Sequence, residues 1–194
     1  MNFLAHIYLS GDDEGIILGN FMADSIKGKK YLKYPPDIQK GILLHRAIDS
    51  YTDAHPLVRQ SARRLRENYR HYSGVIVDIL YDHFLAKNWN FYHEQPLTDF
   101  VDDFYCLLRD NFELLPIRVK RMMPYMIADN WLVSYASIKG ISKILSQMNV
   151  RTQNKSRMNF AVVELEEYYD EFEEEFTNFF ADLIAYSQNK LKEL

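Results

Sequence analysis

Apolar positions along the chain recur at intervals of three and four residues and do not sustain an alternating pattern, which predicts helices and no strand. That period, with the stop signals between its runs, marks out about nine helical segments. The first is short, around residues 2–9, and the second covers about 13–27, where Ile16, Ile17, Gly19, Asn20, Met22, Ala23 and Asp24 mix apolar and polar positions. A basic stretch ending in "YPP" at 34–36 then breaks the chain. Asp37 is placed to cap a helix at about 38–53, Pro56 to occupy the first turn of another at about 56–71, and Ser73 to cap the segment that contains Asp78. Further helices are expected near 98–114, 117–128 and 131–147, with Pro124 kinking or shortening the middle one. The last is long, near 157–189. With no internal repeat and no Pro/Gly/Ser linker, the pattern predicts a single all-α domain over residues 1–194.

Composition agrees. Only 7 Gly and 6 Pro occur, against 2 Trp, 14 Tyr and 12 Phe, which disfavours a turn-rich β protein or a disordered chain. At 194 residues the chain can bury a substantial core without a metal or disulfide staple. The single Cys106 reads as a small core residue and, having no partner for a disulfide, fits a reducing cytosol. The opening "MNFLAHIYLSGDDEG" lacks a basic n-region, and no apolar run approaches the roughly 20 residues that span a bilayer. A cytoplasmic protein without a membrane partner is therefore expected. Net charge is −4, but unevenly spread: residues 164–194 hold 10 acids against 2 Lys, leaving 21 Lys+Arg and 17 Asp+Glu in residues 1–163. The acidic stretch at 164–175 reads as a solvated helix face. There is no G-x-x-x-x-G-K-[ST], no G-x-G-x-x-G and no C-x-x-C, so a standard nucleotide-binding loop is absent and no nucleic-acid partner is expected.

Candidate chemistry lies in polar residues set among apolar ones. Residues 78–83 read "DILYDH", with Asp78 and Asp82 one turn apart and His83 beside them. The same spacing of four separates Asn2 from His6, Asn20 from Asp24, His45 from Asp49 and Asp49 from Asp53. Burying such pairs is costly unless something compensates them. Carboxylates and imidazoles converging from different helices are a means by which helical proteins hold a catalytic metal, and mixed nitrogen and oxygen donors suit Mn, Fe, Ni or Zn. Outside these pairs, His55 before Pro56 reads as a capping or surface residue, and His71 and His93 as loop residues.

A second signal follows Pro56. Arg59, Arg63, Arg66 and Arg70 stand at spacings of four, three and four and make one basic stripe, with Arg64 at its edge. Such a stripe is either a solvated face or a docking surface that steers an acidic partner. Lys27, Lys29, Lys30 and Lys33 extend the basic surface.

The stretches "MNFLAH" (1–6), "GNFMAD" (19–24), "PPDIQKGILLHRAIDSYTD" (35–53), "DILYDHFLAKNW" (78–89) and "NWLVSYASIKGI" (130–141) resemble the acyl carrier protein phosphodiesterase family in order and spacing. Members of that family are similar to the HD-domain phosphohydrolases, all-helical metal enzymes. The resemblance implies hydrolysis of the phosphodiester between 4′-phosphopantetheine and a serine of acyl carrier protein, with Mn²⁺ preferred or Mg²⁺ serving. It also implies an acidic protein partner, which the arginine stripe would suit, so that Arg59, Arg63, Arg66 and Arg70 become substrate-binding candidates. One departure stands out: the HD pattern runs His, then His-Asp, then Asp, whereas His45 is followed by Arg46 and the adjacent pair here is Asp82-His83 in reversed order.

Within that frame the expected metal ligands are Asp24, His45, Asp82 and His83, with Asp78 as the main substitute. Arg46 is expected to reach a phosphate oxygen, Asp49 to orient His45 or accept a proton from the attacking water, and His6 and Asn20 to support the ligands or touch phosphate. Two other functions meet the same residues: an HD-like hydrolase of a nucleotide or other small phosphate ester, and a non-catalytic helical binding module that uses the basic stripe.

Overall fold

A computed structural model describes residues 1–194 as eleven α-helices joined by short turns, several of them 3₁₀. In order they are α1 (Phe3–Tyr8), α2 (Glu14–Met22), α3 (Pro36–Ala54), α4 (Pro56–Tyr69), α5 (Ser73–Lys87), α6 (Leu97–Asp110), α7 (Ile117–Ala128), α8 (Trp131–Ser134), α9 (Ile138–Arg151), α10 (Val162–Glu167) and α11 (Tyr169–Glu193). There are no strands, and the buried apolar side chains form one continuous core. No helix is long and apolar enough to cross a membrane.

The central helix is α5. Ile76, Val77, Ile79, Leu80, Tyr81, Phe84 and Leu85 are all buried, and at about 1.5–3 kcal/mol for each large apolar side chain their burial outweighs that of one carboxyl and one imidazole that have partners. This resolves the polar residues in "DILYDH": Asp82 and His83 lie inside the core, each hydrogen-bonded, while Asp78 reaches a cavity. The contact between α2 and α3 depends on two glycines. A Cβ on Gly19 would run into the Ile38 carbonyl, and one on Gly41 into that of Ile16. Each glycine therefore lets one backbone approach the other, and the approach carries Asn20 and Asp24 up to His45, one turn beyond Gly41.

Several local expectations are corrected. The α3 helix starts at Pro36 with Pro35 at its N-cap, so Asp37 lies in the first turn, where its charge faces the positive helix end without capping it. Ser73 is the first residue of α5, and its hydroxyl donates backwards to the Arg70 carbonyl. The 131–147 segment divides into α8 and α9 because Ser137 caps Gly140 N and starts a new helix. The final segment divides at Tyr168, between α10 and α11. Cys106 is exposed, since Tyr105 and Leu108 take the buried face of α6.

The acidic tail is also not simply solvated. Phe172, Phe176, Phe179, Phe180 and Leu183 form a fully buried stripe on α11, and Glu175 at its edge is drawn in with them. There Glu175 accepts two hydrogen bonds from Arg64, at 2.8 Å each, and others from Gln60 and Ser61. Glu173 pairs with Lys87, and Glu164 accepts from Tyr69. Pro56 enters α4 as expected, with the His55 ring accepting from Leu57 N.

Candidate active site

Four helices meet around a cavity of about 240 Å³ whose wall is mostly polar. α1 contributes His6, α2 Asn20, the turn after it Asp24, α3 His45, Asp49 and Asp53, and α5 Asp78. The His6 and His45 rings stack with their centroids 4.0 Å apart. Between them, Asn20 sets the orientation of both. Its amide nitrogen donates to the His6 carbonyl and to Ser10 Oγ, each at 2.9 Å, which leaves Oδ1 as the acceptor. That oxygen faces His6 Nδ1 at 2.8 Å and His45 Nδ1 at 3.2 Å. Both Nδ1 atoms are thus protonated, and both Nε2 atoms turn toward carboxylates. His6 Nε2 is 3.2 Å from Asp49 Oδ1, and His45 Nε2 is 3.1 Å from Asp49 Oδ2 and 3.3 Å from Asp24 Oδ1.

The two imidazoles have opposite proton affinities. Burial, with His45 as a cationic neighbour, lowers the pKa of His6 to about 4. Burial works against the charged form of His45 too, but the hydrogen bonds to Asp24 and Asp49 overcome it and raise the pKa to about 9. Burial would raise Asp49, yet the two histidines hold it far below the usual carboxylate range. Asp24 is lowered mainly by its bond to His45. The arrangement is one cationic proton shared among acceptors, with a second, neutral nitrogen beside it. A divalent ion fits the same donors: His6, His45 and Asp49 each offer a ligand atom within 4.8 Å of the others, the Nδ1 protons are already committed to Asn20, and Asp24 stands ready as a further oxygen donor.

Not all the expected ligands are part of this group. Asp82 is wholly buried one turn away, where its carboxylate accepts from Leu4 N at 2.8 Å and Ala5 N at 3.3 Å. It anchors the N-terminal end of α1, and burial pushes its pKa up to about 7 against the pull of those two bonds. His83 pairs through Nδ1 with the Tyr135 carbonyl and through Nε2 with Tyr169 Oη, at 2.7 and 2.8 Å. Asp82 shares the face of Asp78 but lies one turn further along α5, where that face meets the start of α1 instead of the cavity, and His83 is turned about 100° further round, toward Tyr135 and Tyr169. Arg46 likewise leaves the site, donating to the carbonyls of Ile26 and Gly28 and stacking on Tyr31. It pins the basic loop.

Arg59, Arg63, Arg66 and Arg70 are all exposed and line a wide groove with His71. Among the arginines only Arg64 has a carboxylate partner, because it turns inward to Glu175. Arg59 Nε donates to the Asp53 carbonyl at 3.0 Å, so the groove begins beside a residue of the polar cavity. Sequence reasoning missed two contributions. The α-amino group of Met1 is buried 3.1 Å from Asp78 Oδ1 and 3.8 Å from Asp49 Oδ1, and Ser10 fixes the Asn20 amide. Neither residue type suggests such a role from its position in the chain.

A sequence profile described as acyl carrier protein phosphodiesterase matches residues 1–183. Relatives bearing that name are 31% identical in Yersinia enterocolitica and Pectobacterium atrosepticum, each over 98% of this chain and 99% of the other. The chain belongs to the acyl carrier protein phosphodiesterase family. A further member, from Escherichia coli O139:H28, is 31% identical over the same shares of the two chains. No solved structure matches. The five stretches that resemble the family converge in space: "MNFLAH", "GNFMAD", the 35–53 run and "DILYDH" supply the polar cavity, and the 130–141 stretch supplies Trp131 and Tyr135 to a second cavity beside it.

Proposed function

We propose that this protein is a metal-dependent phosphodiesterase that hydrolyses the 4′-phosphopantetheine–serine linkage of holo acyl carrier protein. Water adds to phosphorus, the bond from phosphorus to the serine oxygen breaks, and a proton goes to that oxygen, giving apo carrier protein and 4′-phosphopantetheine. The observation that carries the reading is the Asn20 carbonyl facing two stacked histidines, in a chain of this family, because it turns two Nε2 atoms and a carboxylate toward one point. His6, His45 and Asp49 would hold the ion, with Asp24 as a fourth donor. When bound, the ion supplies a Lewis acid that polarises the phosphoryl group and makes hydroxide available near neutral pH. Two imidazole donors favour Mn²⁺ over Mg²⁺, which prefers oxygen.

The remaining roles fall to side chains of the same wall. Asp78 lines the cavity beside the Met1 α-amino group, and burial raises its pKa against the pull of that cation; it is the carboxyl assigned to pass a proton to the leaving serine oxygen. Asn20 and Ser10 position the two rings. The unpaired arginines of α4 meet the acidic carrier protein and guide its serine to the Asp53 side of the cavity. An HD-like arrangement of helices is compatible with this reading. The test is to incubate the protein with holo carrier protein and Mn²⁺, alongside a nucleotide panel, and follow intact mass. Loss of the phosphopantetheine mass supports the proposal; unchanged holo protein with cleavage of a nucleotide overturns it.

A further inference from the structure

Beside the polar cavity lies a second one of a different character. This neighbour, about 230 Å³, shares Met1, Asn2, Phe3, Asp24 and Asp78 with it. Its own wall is apolar, built from Val75 and Ile79 of α5, Trp131 of α8, Tyr135, and Ile144 and Met148 of α9. Arg118 and Arg151 stand at it, both exposed and neither in an ion pair. We propose that this second cavity is the subsite for the pantetheine arm of the diester, a neutral chain of methyl groups and amides; the proposal rests on the function given above.

Three observations bear on that choice. The two cavities adjoin, with Met1, Asn2, Phe3, Asp24 and Asp78 lining both, so a phosphoryl group held at His6, His45 and Asp49 has the apolar space next to it for a substituent. The only carboxylates on the second wall are the shared Asp24 and Asp78, so nothing beyond the phosphate end would meet and pair with a cation on the ligand. Its volume is below the about 300–1,000 Å³ typical of pockets for drug-sized ligands, which suits a slender chain with one end outside. Asn2 adds a polar point at the shared wall: its amide nitrogen donates to Tyr135 Oη at 2.8 Å, leaving Oδ1 to accept from an amide N–H of the arm. The carrier protein's serine then departs along the other side, where Asp53 adjoins the arginine groove.

The experiment measures binding apart from turnover. With Mn²⁺ saturating, 4′-phosphopantetheine, inorganic phosphate and adenosine monophosphate are titrated calorimetrically into the wild type, Val75→Phe and Met148→Phe. Val75 is exposed, so its substitution leaves the core intact even if Met148→Phe does not fold. Each variant should weaken 4′-phosphopantetheine by about tenfold, the weight of roughly two buried methylenes, and leave phosphate unchanged. Tryptophan fluorescence should respond to 4′-phosphopantetheine and not to phosphate, because Trp131 lines the cavity while Trp89 is enclosed by Tyr8, His93 and Phe100. Equal binding of 4′-phosphopantetheine by variants and wild type overturns the subsite. So does an equal loss for adenosine monophosphate, which would make the cavity a base pocket. The two proposals fail differently: a wild type that leaves holo carrier protein uncut sinks the function, whereas one that cuts it while Val75→Phe binds the arm normally sinks only the subsite.

Discussion

Replacing Asp82 by Ala separates the sequence reading of this protein from the structural one. If Asp82 ligated the ion, the variant would lose Mn²⁺ and keep its fold. In the structure it does the reverse, because the carboxylate serves Leu4 N and Ala5 N, both in residues with no exposed surface. Orphaning two buried donors costs about 1–3 kcal/mol each. Part of that returns, since the carboxyl's own burial, visible in a pKa near 7, is relieved. A net loss of about 2–4 kcal/mol is expected, and at about 2–4 °C per kcal/mol for a chain of this size the melting temperature should fall by about 5–15 °C. The assay is circular dichroism melting with Mn²⁺ binding measured by equilibrium dialysis at a temperature where the variant remains folded. Wild-type Mn²⁺ content with a lowered melting point is the expected result. A variant that melts like the wild type but binds no Mn²⁺ would refute the argument and return Asp82 to the ligand set.

Other perturbations test neighbouring parts of the argument. His45→Ala should abolish most Mn²⁺ binding and hydrolysis while helical circular dichroism persists; retention of stoichiometric ion would exclude His45 as a ligand. Arg46→Ala should lower thermal stability by loosening the 26–28 loop and leave turnover at saturating Mn²⁺ nearly unchanged, whereas a large drop in turnover at unchanged stability would restore its expected contact with phosphate. Reversing two charges of the groove with Arg59→Glu and Arg63→Glu should raise KM for holo carrier protein strongly, and added salt should narrow the gap between wild type and variant; an unaltered KM would make the stripe an ordinary solvated face. The Asp82 carboxyl also gives a pH signature. Its folded pKa of about 7 lies above the unfolded value of about 4, so its stabilising contribution is complete below that lower value and is lost as pH rises through 7. Asp82→Asn lacks this loss, and the stability of the variant relative to wild type should rise between pH 5 and pH 8; a difference independent of pH would contradict the assignment.

Helical class and most helix positions followed from the sequence because apolar period and proline placement are local properties. Pro56 entering α4 and the 117–128 helix were legible in that way, and so was the convergence of polar pairs from several helices. Spacing also named His45, Asp49, Asp24, His6, Asn20 and Asp78, all of which line one cavity. What it could not assign was the division of labour among them. An Asp on a central helix looks the same in sequence whether it faces a cavity or a neighbouring backbone, and only the place where α1 crosses α5 put Asp82 beneath Leu4 and Ala5 while Asp78, one turn earlier on the same face, reached the cavity. Arg46 and Arg64 show the same limit: each looked available for an anion, and the fold gave one to backbone carbonyls and the other to Glu175, 111 residues away. The Asn20 carbonyl between two histidines depends on the glycine contact of α2 with α3, which brings together residues far apart in the chain. Local spacing determines which side chains share a helix face, and tertiary packing decides what each face meets.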